Sequence, residues 1–394
     1  MSKLALFDGK PEVDGPIARF NTLGPEELGV ITPMLVDHTE PLSGFLGGEL
    51  TGGRWVQTLE NIWCEAFSCK HAISMNSATN CLLAAAVTID NPFDGSFLVS
   101  PYTMSATVAA PMWNHLTPVF CDIEPETFNL DVQKIWPWGA ISELENMKAI
   151  IVTNLFGHPA ELRMMRNFAD RHQLLMIEDN AQAPFAMEGG KLAGTFGHIG
   201  VFSLNVHKHI QCGEGGVCVT DDDDLAHKMR MFRNHGEIAG SSIGLNLRMT
   251  EVCAAIAVAQ LTKAKQIIDG RIELAEKLTK AVKTLPRITP PIVLEGYKSV
   301  FYTWAAKLDD GLDRDLFVKA MNAEGVPLRA GYMNPLYTLP AFSAYARPCP
   351  VVEDVEKRLV LYENCSWSPT NEQIKQIGNA FEKVIEHLSD ALVC

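Results

Sequence analysis

From residue 71 onward the chain alternates short apolar runs with segments whose apolar residues recur every three or four positions. This rhythm predicts strands at His71–Ser77, Phe97–Pro101, Pro118–Ile123, Ala149–Asn154, Leu174–Glu178, Gly200–Leu204 and Val217–Thr220. Helices are predicted between them at Thr79–Ile89, Ser105–Asn114, Ala160–His172 and Leu225–Asn234, with Asp221–Asp224 capping the last. Upstream, Val56, Leu59, Trp63 and Phe67 share one face of a helix over Arg54–Cys69, after a glycine-rich segment Ser43–Gly53 and an irregular arm over residues 1 to about 25. Strands alternating with helices imply an α/β fold with a mostly parallel sheet covered on both faces.

The rhythm changes after Met249. Thr250–Leu285 reads as a long helical region with Thr250 as N-cap and a break expected at Gly270. A strand-like Ser299–Leu308, a helix Arg314–Glu324, a proline- and glycine-rich stretch to Pro350 and a closing helix Asn371–Leu388 follow. The expected division is a large domain over 1–260 and an interdomain helix with a smaller α+β domain over 261–394.

Composition narrows the function classes. A formal net charge of −14 argues against nucleic acid or an anionic membrane as the main partner. No apolar stretch approaches the ~20 residues of a membrane span. The ten cysteines form no CxxC pair and mostly sit in apolar runs, as small buried side chains in a reducing compartment. The N-terminus carries no apolar core of signal-peptide length, and a cytoplasmic location is expected.

The chemistry concentrates in Leu174–Pro184 and Gly197–Gly216. An apolar run ends in Glu178-Asp179, Gln182 follows, Ser203 lies five residues before Lys208, and a glycine turn at Gly213–Gly216 comes next. A strand-end acid, a hydroxyl and an amine suit an aldehyde cofactor with a ring nitrogen and a phosphate, namely pyridoxal phosphate. Asn76-Ser77-Ala78-Thr79, between strand and helix, either offers N–H groups and hydroxyls to that phosphate or simply caps the helix. Asp179 either keeps a pyridine nitrogen protonated or caps the following helix. His207, His209 and Cys212 also permit a metal reading, but no fourth ligand is evident and no metal is expected. The glycines of the turn lack nucleotide-loop spacing.

Taken together and in order, LTGGRWVQTLE, MNSATNCLLAAA, VSPYTMSATVAA, TPVFCDIEPETFNLD, VTNLFGHPAEL, IEDNAQA, GVFSLNVHKHIQCGEGG, FRNHG and GLNLRMTEVCAAIAVAQL resemble the DegT/StrS-like sugar aminotransferases. The likeness runs from about Gly44 to the C-terminus. It implies an aspartate-aminotransferase-like fold with a seven-stranded sheet. It also implies that Lys208 bonds the cofactor and later moves a proton, that Asp179 pairs with the pyridine nitrogen, and that Gln182 meets the 3-hydroxyl. Ala78, Thr79 and Ser203 would hold the phosphate, and Asn246 would reach the phosphate of a neighbouring subunit in a homodimer. The side chain over the ring falls at Met104, with Tyr102 as the alternative.

The implied reaction moves an amino group from glutamate or glutamine to a keto-sugar, nucleotide-linked, or to a keto-cyclitol. Arg329 and His235 are the candidate substrate contacts, and the loop His235–Ser242 and the segment Arg329–Pro348 are the expected specificity elements. A sugar dehydratase, in which histidine replaces the lysine, is the first alternative, and Lys208 in register argues against it. A catalytically silent regulatory relative is the second, and the intact Asp179, Gln182, Ser203 and Lys208 argue against that.

Overall fold

The computed structural model describes residues 3–36, 41–45, 50–90, 93, 95–135, 146–236 and 242–390. Residues 46–49 of the glycine-rich segment, 237–241 of the expected specificity loop and Cys394 lie outside the described residues. The apolar runs become seven strands: β1 His71–Met75, β2 Ser96–Val99, β3 Thr117–Phe120, β4 Met147–Thr153, β5 Leu175–Asp179, β6 Ile199–Ser203 and β7 Gly216–Thr220. They form one sheet in the order β1-β7-β6-β5-β4-β2-β3. β6-β5-β4-β2-β3 pair in parallel, whereas β7 runs antiparallel to both its neighbours. Every residue of β6 and β7 is buried, as expected of strands covered on both faces.

Strand register, parallel from β4 through β6 and antiparallel at β7, brings the ends of distant segments to one edge. Thr153 pairs with Asp179, Asp179 with Val201, Ser203 with Gly216, and Gly216 with Met75. That edge, outside the carboxyl ends of the parallel strands, is where ligands sit in open α/β sheets. The helix expected at Thr79–Ile89 spans Ala78–Val87, with Ser77 Oγ capping Asn80 N–H at 3.1 Å. The acid run before helix Asp223–Arg233 caps it through Asp222, which accepts from Asp224 N and Leu225 N.

A second sheet holds β8 Ile288–Thr289, β9 Trp304–Leu308, β10 Leu328–Ala330 and β11 Leu359–Tyr362, all antiparallel, in the order β8-β9-β11-β10. Trp304, Phe317, Phe381 and Val384 join it to helices Arg314–Ala323 and Asn371–Asp390 in a core of its own. The N-terminal arm is tied to this part of the chain: Ala18 and Arg19 pair with Ser368 and Trp367.

Two readings change. The long helical region breaks at Lys263, between helices Glu251–Thr262 and Ala264–Val282, and Gly270 sits inside the second. The break is a tight turn, with Lys263 N–H bonded to Gln260 O at 3.2 Å, while Lys263 Nζ reaches Glu27 at 2.9 Å. Glu27 belongs to a helix at Pro25–Val36 that the pattern did not predict. Its Gly29 and internal Pro33 obscure the periodicity.

Candidate active site

Lys208 follows the end of β6 in a turn closed by Val206 N–H to Gly213 O at 3.0 Å and by Lys208 N–H to Asn205 O at 2.9 Å. Part of its side chain remains accessible, yet protein surrounds the amine. Its Nζ lies 4.3 Å from the centre of the Tyr302 ring. Burial pushes its pKa down to about 8, against the opposing pull of Asp179. A lysine in that range is partly neutral near physiological pH, the form that attacks an aldehyde.

Asp179 ends β5 and is buried. Its Oδ2 accepts from Thr107 Oγ1 at 2.6 Å and its Oδ1 from Ala181 N at 3.2 Å. Desolvation still raises its pKa, outweighing these bonds and the Lys208 charge. Such a carboxylate suits a cationic ring N–H as partner. Thr107 is itself placed by Thr103 Oγ1 at 3.0 Å, which also meets Thr153 Oγ1 at 3.1 Å. Neither threonine was singled out from the sequence. Their i,i+4 spacing at the start of helix Ser105–Trp113, inside the family-like VSPYTMSATVAA, was the available signal.

Gln182 is buried; its Oε1 accepts from Phe156 N at 2.8 Å and its Nε2 donates to Tyr332 Oη at 2.9 Å. Tyr332 follows β10 of the second sheet and packs edge-on against Phe156 and Tyr102. Burial is the main cause pushing its hydroxyl pKa up to about 12. Tyr102 Oη donates to Glu356 at 2.6 Å, and Tyr332 N also donates to Glu356, at 3.3 Å. Tyr102 thereby links the segment after β2 to helix Pro350–Arg358 and, through Tyr332 N at 3.3 Å, to the segment after β10. Met104 is 51% exposed at the N-cap of the helix carrying Thr107.

At the other end of the edge, Ser77, Ala78 and Thr79 begin helix Ala78–Val87 beside Gly216. A Cβ on Gly216 would lie 2.6 Å from Ala78 N and 2.7 Å from Ser77 C, so only glycine lets β7 approach the helix terminus this closely. Ser203 pairs with Gly216 and is buried, with its Oγ accepting from Asn205 N at 3.3 Å. Free N–H groups and hydroxyls at a helix N-terminus form an anion cradle. Asn246 is exposed and bridges to Asn234, and the neighbouring Leu247 O accepts from Asn76 N at 2.9 Å. His235 is exposed on the same loop pair. Among the described residues no hydrogen bond or ring contact joins it to Lys208, Asp179 or Gln182. The buried amine, the buried acid and the anion cradle along one edge fit the aldehyde, ring nitrogen and phosphate of pyridoxal phosphate.

Beside Lys208 opens a cavity of about 370 Å³ lined by Arg19, His207, Tyr302, Arg329, Tyr332 and Glu363, among others. His209, the other flanking histidine, is buried against Val300 O at 2.9 Å, and burial lowers its pKa to about 4.

The DegT/DnrJ/EryC1/StrS aminotransferase family matches residues 43–382. The chain is 32% identical over 302 residues to the GDP-perosamine synthase of Caulobacter vibrioides, covering 75% of this chain and 80% of that one. It is 28% identical over 408 residues to the L-glutamine:2-deoxy-scyllo-inosose aminotransferase of Streptomyces kanamyceticus, covering 90% and 94%. The structure of DesI, solved in the presence of its TDP-sugar product, superposes with a TM-score of 0.83 at 26% identity, covering 99% of this chain and 98% of that one.

Proposed function

The chain belongs to the DegT/DnrJ/EryC1/StrS aminotransferase family, and we propose that it transfers an amino group from glutamate or glutamine to a nucleotide-linked keto-sugar or a keto-cyclitol. It is a pyridoxal-phosphate-dependent aminotransferase. The observation that carries the reading is the buried Lys208 amine at the sheet edge that also presents Asp179 and Gln182.

When bound, pyridoxal phosphate supplies an aldehyde and an electron-withdrawing pyridinium ring. Lys208 Nζ would bond the aldehyde carbon and, once released, carry a proton between substrate and cofactor carbons; a pKa near 8 suits both tasks. Asp179 would hold the proton on the ring nitrogen, with Thr107 fixing which oxygen points inward. Gln182 Nε2, oriented by its bond to Tyr332, would meet the 3-hydroxyl. The N-terminus at Ala78–Thr79 and Ser203 would take the phosphate. Met104 would cover the ring through its thioether. Arg329 and His235 are proposed as substrate contacts.

Asn246 is exposed and would complete the cradle of a second copy, making the enzyme a homodimer that shares its sites. A boundary near residue 260 separates the seven-stranded part from the C-terminal sheet. Among the described residues no helix is long and apolar enough to cross a membrane, and the proposed location is cytoplasmic. The lysine, rather than a histidine, at 208 favours amination over dehydration.

The test is spectroscopic. Glutamate or glutamine should bleach the visible band of the yellow enzyme, and a panel of nucleotide keto-sugars and keto-cyclitols should restore it. A Lys208→Ala protein that still exchanges amino groups at the wild-type rate would refute the assignment.

A further inference from the structure

Arg329 lies on β10, and Glu363 directly follows the end of the adjacent strand β11. Arg329 pairs with Leu361 in register, so Glu363, two residues on, presents its side chain to the same face. There Arg329 Nη1 bonds Glu363 Oε1 at 2.6 Å, on the wall of the cavity that opens beside Lys208. Arg19 also lines this cavity, with its guanidinium 3.8 Å from the centre of the Trp367 ring. Tyr302 connects the cavity to the reacting amine, since its ring lies over Lys208 Nζ. At about 370 Å³ the cavity is at the small end of small-molecule sites and has room for an amino acid.

One contact between Arg329 and Glu363 leaves further guanidinium N–H groups and a second carboxylate oxygen on the same edge. That edge offers a donor next to an acceptor. A primary amide presents the complementary pair, a carbonyl oxygen and an NH2 group, whereas a carboxylate presents acceptors alone and meets the like charge of Glu363. Arg19 supplies a second cation within the same cavity for the donor's α-carboxylate.

We propose that this cavity is the amino-donor subsite and that the Arg329–Glu363 pair reads the side-chain amide of glutamine, selecting it over glutamate. The amide oxygen accepts from Arg329 and the amide nitrogen donates to Glu363. The proposal rests on the aminotransferase reading above and specifies which donor that site takes. Arg329 is 55% and Glu363 33% exposed at their side chains, so water screens the pair and the preference is set at about tenfold rather than the far larger factors of fully buried recognition.

Glutarate and its monoamide lack the reacting amine and report binding alone. Calorimetric titration of the cofactor-loaded enzyme should show the monoamide binding about tenfold more tightly than glutarate. Glu363→Gln should bring the ratio near one by strengthening glutarate, and Arg329→Gln should weaken both ligands. Equal binding by the wild type, no measurable binding of either ligand, or a ratio unchanged in Glu363→Gln would overturn the proposal. The aminotransferase reading fails separately: in that case neither glutamine nor glutamate bleaches the visible band of the wild-type enzyme.

Discussion

Replacing Gly216 by alanine tests whether the contact between β7 and the helix N-terminus builds the phosphate cradle. The added Cβ would sit 2.6 Å from Ala78 N, 2.7 Å from Ser77 C and 2.8 Å from Ala78 Cα, roughly 0.8 Å inside the 3.4 Å at which an ordinary contact begins. All three are backbone atoms, so no side chain can rotate away, and the strand or the first turn of helix Ala78–Val87 must move. Overpacking of this kind costs about 1–3 kcal/mol of stability. The same shift carries the N–H groups of Ala78 and Thr79 off the phosphate, and a displacement approaching 1 Å can cost a site up to about 100-fold. Equilibrium titration of the apoprotein with pyridoxal phosphate should show affinity reduced at least about tenfold, with a lower unfolding midpoint. Gly270→Ala is the control. Gly270 lies within helix Ala264–Val282 with open space at its Cβ, so the change should be neutral or stabilising by up to about 1 kcal/mol. A Gly216→Ala protein that binds the cofactor within about twofold of wild type and melts unchanged would refute the reasoning.

Lys208 supplies a pH test on the apoprotein. Folding lowers its pKa from 10.5 to about 8, so the unfolded chain binds more protons between those values and stability should rise with pH across that window. Lys208→Met should lose this rise and be the more stable protein at pH 7, as measured by urea unfolding at pH 7 and 9.5. Arg233 is fully buried, with Nη1 2.5 Å from Glu60 and 2.8 Å from Ser74 O, so Arg233→Ala should destabilise by about 3–5 kcal/mol through the unpaired Glu60 it leaves. Chemical denaturation would show it, and Glu60→Ala in the same background should recover part of the loss. Tyr102→Phe removes the 2.6 Å bond to Glu356 and should cost about 1.5–3 kcal/mol. By loosening Tyr332 and hence Gln182, it should also lower the donor half-reaction rate more than the affinity for the donor, which stopped-flow absorbance separates.

Much of the candidate site could be proposed along the chain because its members are local. Lys208 lies five residues beyond Ser203, Asp179 ends an apolar run, and Ser77–Thr79 sit where a strand pattern gives way to a helical one. These positions follow from periodicity and from capping chemistry, which act over a few residues. The same local rules misplaced the helix break at Gly270, since a glycine facing open space costs too little to end a helix already held by packing. Tertiary structure alone decided what surrounds these candidate groups. Parallel register set Thr153 beside Asp179, and helix packing brought Thr107 onto the same carboxylate. Segments flanking strands of the second sheet, roughly 90 to 150 residues downstream, delivered Tyr302 to Lys208 and Tyr332 to Gln182. Packing also engaged Tyr102 with Glu356, 254 residues away. Those contacts depend on strand register and on how two cores dock, and neither leaves a periodic trace in the order of residues.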